Sequence, residues 1–316
     1  MSQQLTGLSR KELKARSKAN RIRESRGDRV FNGFTNLILV LAIALVAYPL
    51  LYVVSASFSS INAVMSGRVW IFPVEFSIKS YQTAFQYKAI MTGYLNSIIY
   101  TISGTAVSLV LTTLCAYPLS RRDLWGKNAI MMYATFPMFF SGGMIPTYLL
   151  VARTLGLSNS WWAVILVGGI ATYNMIIMRT FFSNSIPYEL QEAAQIDGCT
   201  PFGILVRIIL PLSIPVMCVI GLYYGVFLWN SYFQSLIYLT DKDKWPLQLF
   251  LRQILVANDV SAVDGGASPD EMARRAMRAE TIKYAIVVLA SVPMLIIYPF
   301  VQRYFVKGVM IGSVKG

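Results

Sequence analysis

The chain has 316 residues, 55% hydrophobic and 14% charged, with a mean hydropathy of +0.54. Soluble domains carry about 25% charged residues, so this is the composition of an integral membrane protein and not of an ordinary soluble enzyme. The net charge is +13, there is no histidine, the three cysteines lack C-x-x-C spacing, and neither G-x-x-x-x-G-K-[ST] nor G-x-G-x-x-G occurs. Histidine triads are thereby excluded, no metal site is expected, and nothing in the chain cradles nucleotide phosphates.

Residues 1–30 form a basic tail running from Arg10 and Lys11 to Arg26 and Arg29. It lacks the aromatic or groove-reading partners of a nucleic-acid binder and reads as a cytoplasmic retention signal under the positive-inside rule. Residues 34–54 are almost wholly apolar, longer than the h-region of a signal peptide, and read as a first, uncleaved span. The segment 58–92 carries Trp70, Phe72, Pro73, Tyr81 and Tyr87, which suits an outer membrane interface with a short helix over 77–85. Residues 93–119 make a second span rich in Ser, Thr and Gly, followed by Arg121-Arg122 and Lys127 on the inside. A third span over 128–151 is interrupted by Pro137, Gly142-Gly143 and Pro146. Such breaks are tolerated at membrane depth where protein or a water-filled cavity receives the freed backbone groups, so this span is expected to border a pathway. Trp161-Trp162 anchors a fourth span ending near Phe182, a fifth runs over 214–239, and a sixth over 282–300. Residues 240–280, with Asp241, Asp243, Asp259, Asp264, Asp270 and Glu271, read as a long outer loop.

Between spans four and five lies the stretch the chain is organised around, 185–215: S-I-P-Y-E-L-Q-E-A-A-Q-I-D-G-C-T-P-F-G-I-L-V-R-I-I-L-P-L-S-I-P. Pro187 suits a first helical turn, and Gly198 suits the left-handed residue that closes a helix near Asp197. Thr200-Pro201 is a second N-cap with proline at the first position, and Pro211 is expected to end that helix one residue earlier. Leu190, Ala193 and Ala194 fall on one small, smooth face, with Glu189 and Glu192 on another.

E-A-A-Q-I-D-G followed by I-I-L-P-L-S-I-P resembles the cytoplasmic EAA loop of the permease subunits of bacterial ATP-binding-cassette importers. The resemblance extends residue by residue to Glu192, Ala193, Ala194, Asp197, Gly198 and Pro211. Cys199 stands where alanine is common and Leu205 where phenylalanine is common, and both departures keep a small or apolar side chain. The C-terminal Q-R-Y-F-V-K-G with its final V-K-G, and the Trp229-Asn230 pair, are similar to the maltose-type carbohydrate-uptake permeases. The basic extension and the long 240–280 segment look most like permeases for complex-polysaccharide fragments.

That resemblance implies an all-α membrane protein of six transmembrane helices. Its organisation would be a tail (1–30), a first span with an outer interfacial segment (31–92), and a permease core (93–316) holding the coupling loop 185–215 and the outer loop 240–280. It implies a multi-pass protein of the bacterial cell membrane with both termini cytoplasmic. The partners implied are a homologous second permease in a heterodimer, an ATPase dimer that binds ATP and Mg, and an extracytoplasmic sugar-binding protein. The loop 240–280, with Gly265-Gly266 at its tip, would reach into that binding protein.

Candidate substrate contacts are Asn174, Tyr173, Tyr223, Tyr224, Trp229, Asn230 and Gln234, because aromatic faces and amides bind sugars. Each has an ordinary alternative as an interface-belt aromatic or an interhelical hydrogen bond. The spans hold no ionisable residue away from their ends, which argues against proton or sodium coupling. A secondary transporter and a non-transporting scaffold are the rivals from other classes; among importers, the rival substrates are peptides or amino acids.

Overall fold

Some helix starts in this chain are written in short polar caps. In the structure, a computed structural model that describes residues 25–257, 280, 282–299 and 302, Ser25 and Asp28 cap each other's backbone N–H at 3.0 and 3.1 Å. This reciprocal pair opens helix α1, Arg26–Ser57. The chain divides at Tyr52 into two compact units. In the first, the apolar side chains of α1 from Val30 to Leu51 are exposed, as suits a span that meets lipid or another chain.

The second unit begins with a folded interfacial segment. Ser60 caps α2, Ile61–Met65, by accepting from Ala63 N–H at 3.2 Å, and α3, Lys79–Gln86, follows where the short helix is expected. Then comes α4, Lys88–Ser120, an unbroken helix of 33 residues, about 50 Å long at 1.5 Å per residue. Its small residues admit the partner helix α11, Ile214–Trp229: a Cβ on Gly104 would stand 2.6 Å from Leu228 Cδ1, and Gly221 and Gly225 face Leu109 and Thr105.

The third expected span is a bent pair. Helix α5, Lys127–Phe139, meets α6, Met144–Thr154, at 114°. The break falls at Phe140 to Gly143, where Gly143 has φ +87°, while Pro137 lies inside α5 and Pro146 in the first turn of α6. Glycine therefore makes the bend, Pro146 sits in a first turn where its missing N–H is harmless, and Pro137 removes a hydrogen bond from the last turns of α5 just before the break.

Two expected spans are shorter than the sequence suggests. The fourth is split into α7, Trp161–Leu166, and α8, Thr172–Asn184, because Gly168 takes φ +87° and Gly169 N–H turns back to Leu166 O at 3.0 Å. The fifth ends at Trp229, where Asn230 N–H closes the helix on Val226 O; after it come α12, Phe233–Tyr238, and a 3-10 turn, Lys242–Lys244. Part of the supposed outer loop is also helical: α13, Leu247–Ala257. Helix α14, Ile282–Pro299, matches the sixth span. Among the described residues, three helices are able by length and composition to cross a membrane, or up to five if each bent pair is one span.

Between α8 and α11 lie α9, Glu189–Ile196, and α10, Pro201–Leu212. Contrary to expectation α10 passes through Pro211. A π turn over Leu205–Ile209, with Leu210 N–H bonded to Leu205 O, widens the helix just before the proline and receives its missing donor and bulky ring. The chain bends instead at Ser213, by 83°.

Among the buried clusters, one stands at each end of α4. At the Ser120 end, Ala116, Tyr117 and Leu119 pack with Met178 and Phe182 of α8, Ala194 of α9 and Ile204, Leu205 and Ile209 of α10. At the Lys88 end, Ile90 packs with Ala84, Leu247, Ile282, Ile286 and Ala290.

Candidate coupling loop and pathway residues

The loop residues arise from local chemistry that the structure reproduces. Asp197 N–H closes α9 on Ala193 O at 3.0 Å, and Gly198 follows with φ +78°, the left-handed conformation that a glycine adopts without strain. Thr200 Oγ1 accepts from Gly203 N–H at 3.2 Å, and Pro201 takes the first position of α10. The elbow is thus fixed on both sides by caps.

The face presented by α9 differs from the one expected. Gln191, 3% exposed, and Ala194, 6% exposed, turn into the chain, and Ala194 belongs to the cluster at the Ser120 end of α4. The small side chain of Ala194 therefore serves internal packing. Leu190, Glu192, Ala193, Asp197 and Gly198 are exposed, as are Ile196 at 87% and Phe202 at 66%. The eight-residue helix and the elbow after it thus leave Leu190, Ile196 and Phe202 bare together. Pro211 lies in α10, away from that surface, and shapes the turn before the Ser213 bend.

The pathway candidates separate in the structure. Tyr224 is buried, its hydroxyl 2.6 Å from Thr112 Oγ1 and accepting from Ala171 N–H at 3.0 Å. Trp229 is buried, donates from Nε1 to Ala290 O at 2.8 Å, and meets Tyr94 edge-on. Asn174 is buried in α8. Gln234 is partly buried and its Oε1 accepts from Ser231 Oγ at 3.2 Å. Tyr224 and Trp229 hold helices together, Gln234 bonds within its own segment, and Asn174 is turned into the chain. Asn230 and Tyr223 are exposed on α11, although Asn230 Nδ2 also caps its own helix on Val226 O at 2.9 Å; Tyr173 is exposed on α8. A cavity of about 420 Å³ opens beside Asn230, with Gln248 of α13 and Ser291 and Tyr298 of α14 as its other polar lining. The proposed loop tip at Gly265-Gly266, the basic tail before Ser25, and Arg303 and Lys307 lie outside the described residues.

The contacts of three further side chains escaped the sequence reading. Arg122 lies over the Tyr188 ring at 4.7 Å, Arg179 Nε donates to Leu119 O at 3.0 Å, and Asn96 Nδ2 donates to Asp243 O and Trp245 O at 2.7 and 3.0 Å. A basic pair directly after a long span and a tyrosine directly before α9 were the available signals. Among the described residues no cluster of His, Cys, Asp or Glu is able to hold a metal.

The model of the binding-protein-dependent transport system inner membrane component matches residues 108–311, a stretch that includes both sides of the elbow. The chain belongs to that family. It is a permease subunit of an ATP-binding-cassette importer in the inner membrane, a transport component and not an enzyme. The permease is 42% identical to the polygalacturonan/rhamnogalacturonan transport system permease protein YtcP of Bacillus subtilis, over 92% of its own length and 99% of that protein's. It is 41% identical to Protein LplC of the same organism, over 92% and 97%. Among solved structures it matches, at 32% identity and a TM-score of 0.81, a chain in the crystal structure of a bacterial ABC transporter involved in the import of the acidic polysaccharide alginate. That match covers 90% of the permease and 99% of the other chain. The all-α permease architecture is as expected, while the expected fourth and fifth spans come in pieces.

Proposed function

We propose that the permease imports oligosaccharide fragments of acidic polysaccharides, and that α9 and α10 receive the ATPase that drives it. The observation that carries the coupling half is the exposed apolar set Leu190, Ile196 and Phe202 around the capped elbow at Gly198. Glu192 supplies a charge for a basic group on the ATPase, and Ala193 leaves room for close approach. ATP and Mg are held by the ATPase dimer and not by this chain. The substrate half is supported by the relatives, whose names specify polygalacturonan and alginate.

The pathway runs between this permease and a homologous second one. Asn230 and Tyr223 contribute to it from α11, and an extracytoplasmic sugar-binding protein delivers the solute. The basic residues Arg121, Arg122 and Arg207 and the tail lie in the cytoplasm and the segment 240–280 outside, with both termini cytoplasmic. Uptake of labelled galacturonic-acid oligosaccharides by cells with and without the gene tests this reading. Uptake should require the permease, persist with a proton ionophore present, and stop when the ATPase subunit is deleted. Uptake that collapses with the ionophore yet survives loss of the ATPase would mean a secondary transporter instead.

A further inference from the structure

A helix end buried in a protein needs partners for its last carbonyls. At the Ser120 end of α4 three successive carbonyls have them: Leu119 O accepts from Arg179 Nε at 3.0 Å, Ser120 O from Ser183 Oγ at 3.4 Å, and Arg121 O from Lys127 Nζ at 3.4 Å. Two of these donors are cations, which also complement the negative end of the helix dipole. Arg121 is buried, bound through two nitrogens to Asp123 at 2.7 and 2.8 Å and through the third to Tyr117 Oη at 3.1 Å. This end of α4 is therefore locked to α8 and to the start of α5.

Arg122 reaches the other way. Its guanidinium lies 4.7 Å from the centre of the Tyr188 ring, a cation–π distance. Tyr188 immediately precedes α9, and its carbonyl accepts from Gln191 and Glu192 N–H at 2.9 and 3.1 Å. Whatever moves the first turn of α9 moves Tyr188.

The covalent routes out of α9 are both interrupted. Toward α8 the chain continues to the break at 167–171, and through Gly198 and α10 it reaches the 83° bend at Ser213. Helix α4 has no such break over its 33 residues. Its far end is locked as well: Asn96 Nδ2 donates to Asp243 O and Trp245 O, Tyr100 Oη donates to Lys244 O at 2.8 Å, and Leu247 N–H donates to Ser97 Oγ at 2.9 Å.

We propose that α4 is the strut by which a displacement of the coupling helix reaches the root of the 240–280 segment, and that Arg122, stacked on Tyr188, is a positioning residue that joins the two beside the buried packing of Ala194. The proposal rests on the coupling role given to α9 above. It predicts that signals between the ATPase and the outer face weaken when the Arg122–Tyr188 contact is removed, while the docking surface itself persists.

The test uses the complete transporter in liposomes, with its binding protein loaded with galacturonic-acid oligosaccharides. Arg122→Ala and Tyr188→Ala should retain co-purifying ATPase at normal yield and lose about fivefold in the stimulation of ATP hydrolysis by the loaded binding protein, within the usual range of coupling between sites. Tyr188→Phe keeps a ring face for the guanidinium and should retain the stimulation. Wild-type stimulation in Arg122→Ala overturns the proposal, as does a phenylalanine variant no better than the alanine one. Loss of co-purifying ATPase in Arg122→Ala also overturns it, because the contact would then build the docking face and transmit nothing. Ala193→Arg is the separate control: normal docking in that variant defeats the coupling reading itself, whatever Arg122 does.

Discussion

The two ends of α4 are finished differently. At the Lys88 end the segment 239–247 is fastened by directional polar contacts: Asn96 to Asp243 O and Trp245 O, Tyr100 to Lys244 O, Asn159 Oδ1 accepting from Asp241 N–H at 3.1 Å, and Lys244 Nζ donating to Asn159 O at 2.9 Å. At the Ser120 end the loop turns Gln191 and Ala194 inward and leaves Leu190, Ile196 and Phe202 bare. A root that must stay in register satisfies its own backbone, whereas a surface that must receive a partner keeps apolar area unspent. Both ends of α4 have their polar groups partnered within the chain, and what sets the Ser120 end apart is the apolar area that its loop leaves exposed.

The largest expected effect comes from spoiling the exposed face at the Ser120 end. Ala193 is exposed and is not one of the buried residues of the internal cluster, so Ala193→Arg should leave the permease folded while placing a long cation on the proposed ATPase face. ATPase co-purification and uptake should both be abolished, with the thermal unfolding of the solubilised permease unchanged. Normal co-purification would show that the exposed face of α9 is not the docking surface.

Breaking the Lys88 end should produce the reverse pattern. Asn96 is buried and serves two carbonyls at once, so Asn96→Ala leaves both without a donor and should destabilise by about 2 kcal/mol or more. Thermal unfolding should shift down and hydrogen exchange should rise at residues 243–247, with ATPase docking preserved. An unchanged melting profile would mean that the root does not depend on this side chain.

The elbow between α9 and α10 was legible in the sequence because each of its features is local. A left-handed residue favours glycine, a threonine caps the N–H groups just ahead of it, and a proline fits the first turn, so Gly198, Thr200 and Pro201 announced themselves. What was not legible was decided at a distance. Leu190, Ala193 and Ala194 do share a helical face, but the cluster formed by α4 and α8 draws in Gln191 and Ala194 instead. The break at Gly168-Gly169 and the end of α11 at Trp229 were hidden inside apolar runs long enough to span. Helix α13 was concealed by the polar residues around it, although Leu247, Phe250, Leu251 and Ile254 already stand at helical spacing. Trp229 and Tyr224 looked like sugar contacts because their chemistry suits sugars; their hydrogen bonds to Ala290 O, Thr112 and Ala171 show that the chain itself uses that chemistry.

A smaller effect would sharpen the contrast within the elbow itself. No atom lies within 4 Å of where a Cβ on Gly198 would stand, so Gly198→Ala meets no clash and only the φ of +78° is unfavourable. The cost should be about 1 kcal/mol, corresponding to about fivefold weaker ATPase binding if it is borne wholly by the docked geometry. Binding measured with purified ATPase should therefore weaken without disappearing, in contrast to Ala193→Arg. A loss as complete as that of the arginine variant would mean that Gly198 is itself in contact with the partner.

The smallest expected effect concerns the folded segment before α3, another region that satisfies its own polar groups. Glu75 accepts from Ser60 Oγ at 2.5 Å and from Arg68 Nη2 at 2.7 Å, and these hydrogen bonds, the serine's first, hold its carboxyl below the usual glutamate range. The folded segment therefore binds a proton less readily than the unfolded chain. The stabilisation is complete above the ordinary glutamate pKa and is lost as pH falls through the lowered value. Because Arg68 and Glu75 are both half exposed, solvent screens the pair and the contribution is small. Protection of the Ser60 and Ser77 amides, which bond to Val74 O and Phe58 O, measured relative to their intrinsic exchange rates, should hold from neutral to mildly acidic pH and fall only below the glutamate range. Glu75→Gln should remove this acid-linked step. A step of the same size in the glutamine variant would assign it to another carboxylate and leave Glu75 without a part in holding this segment.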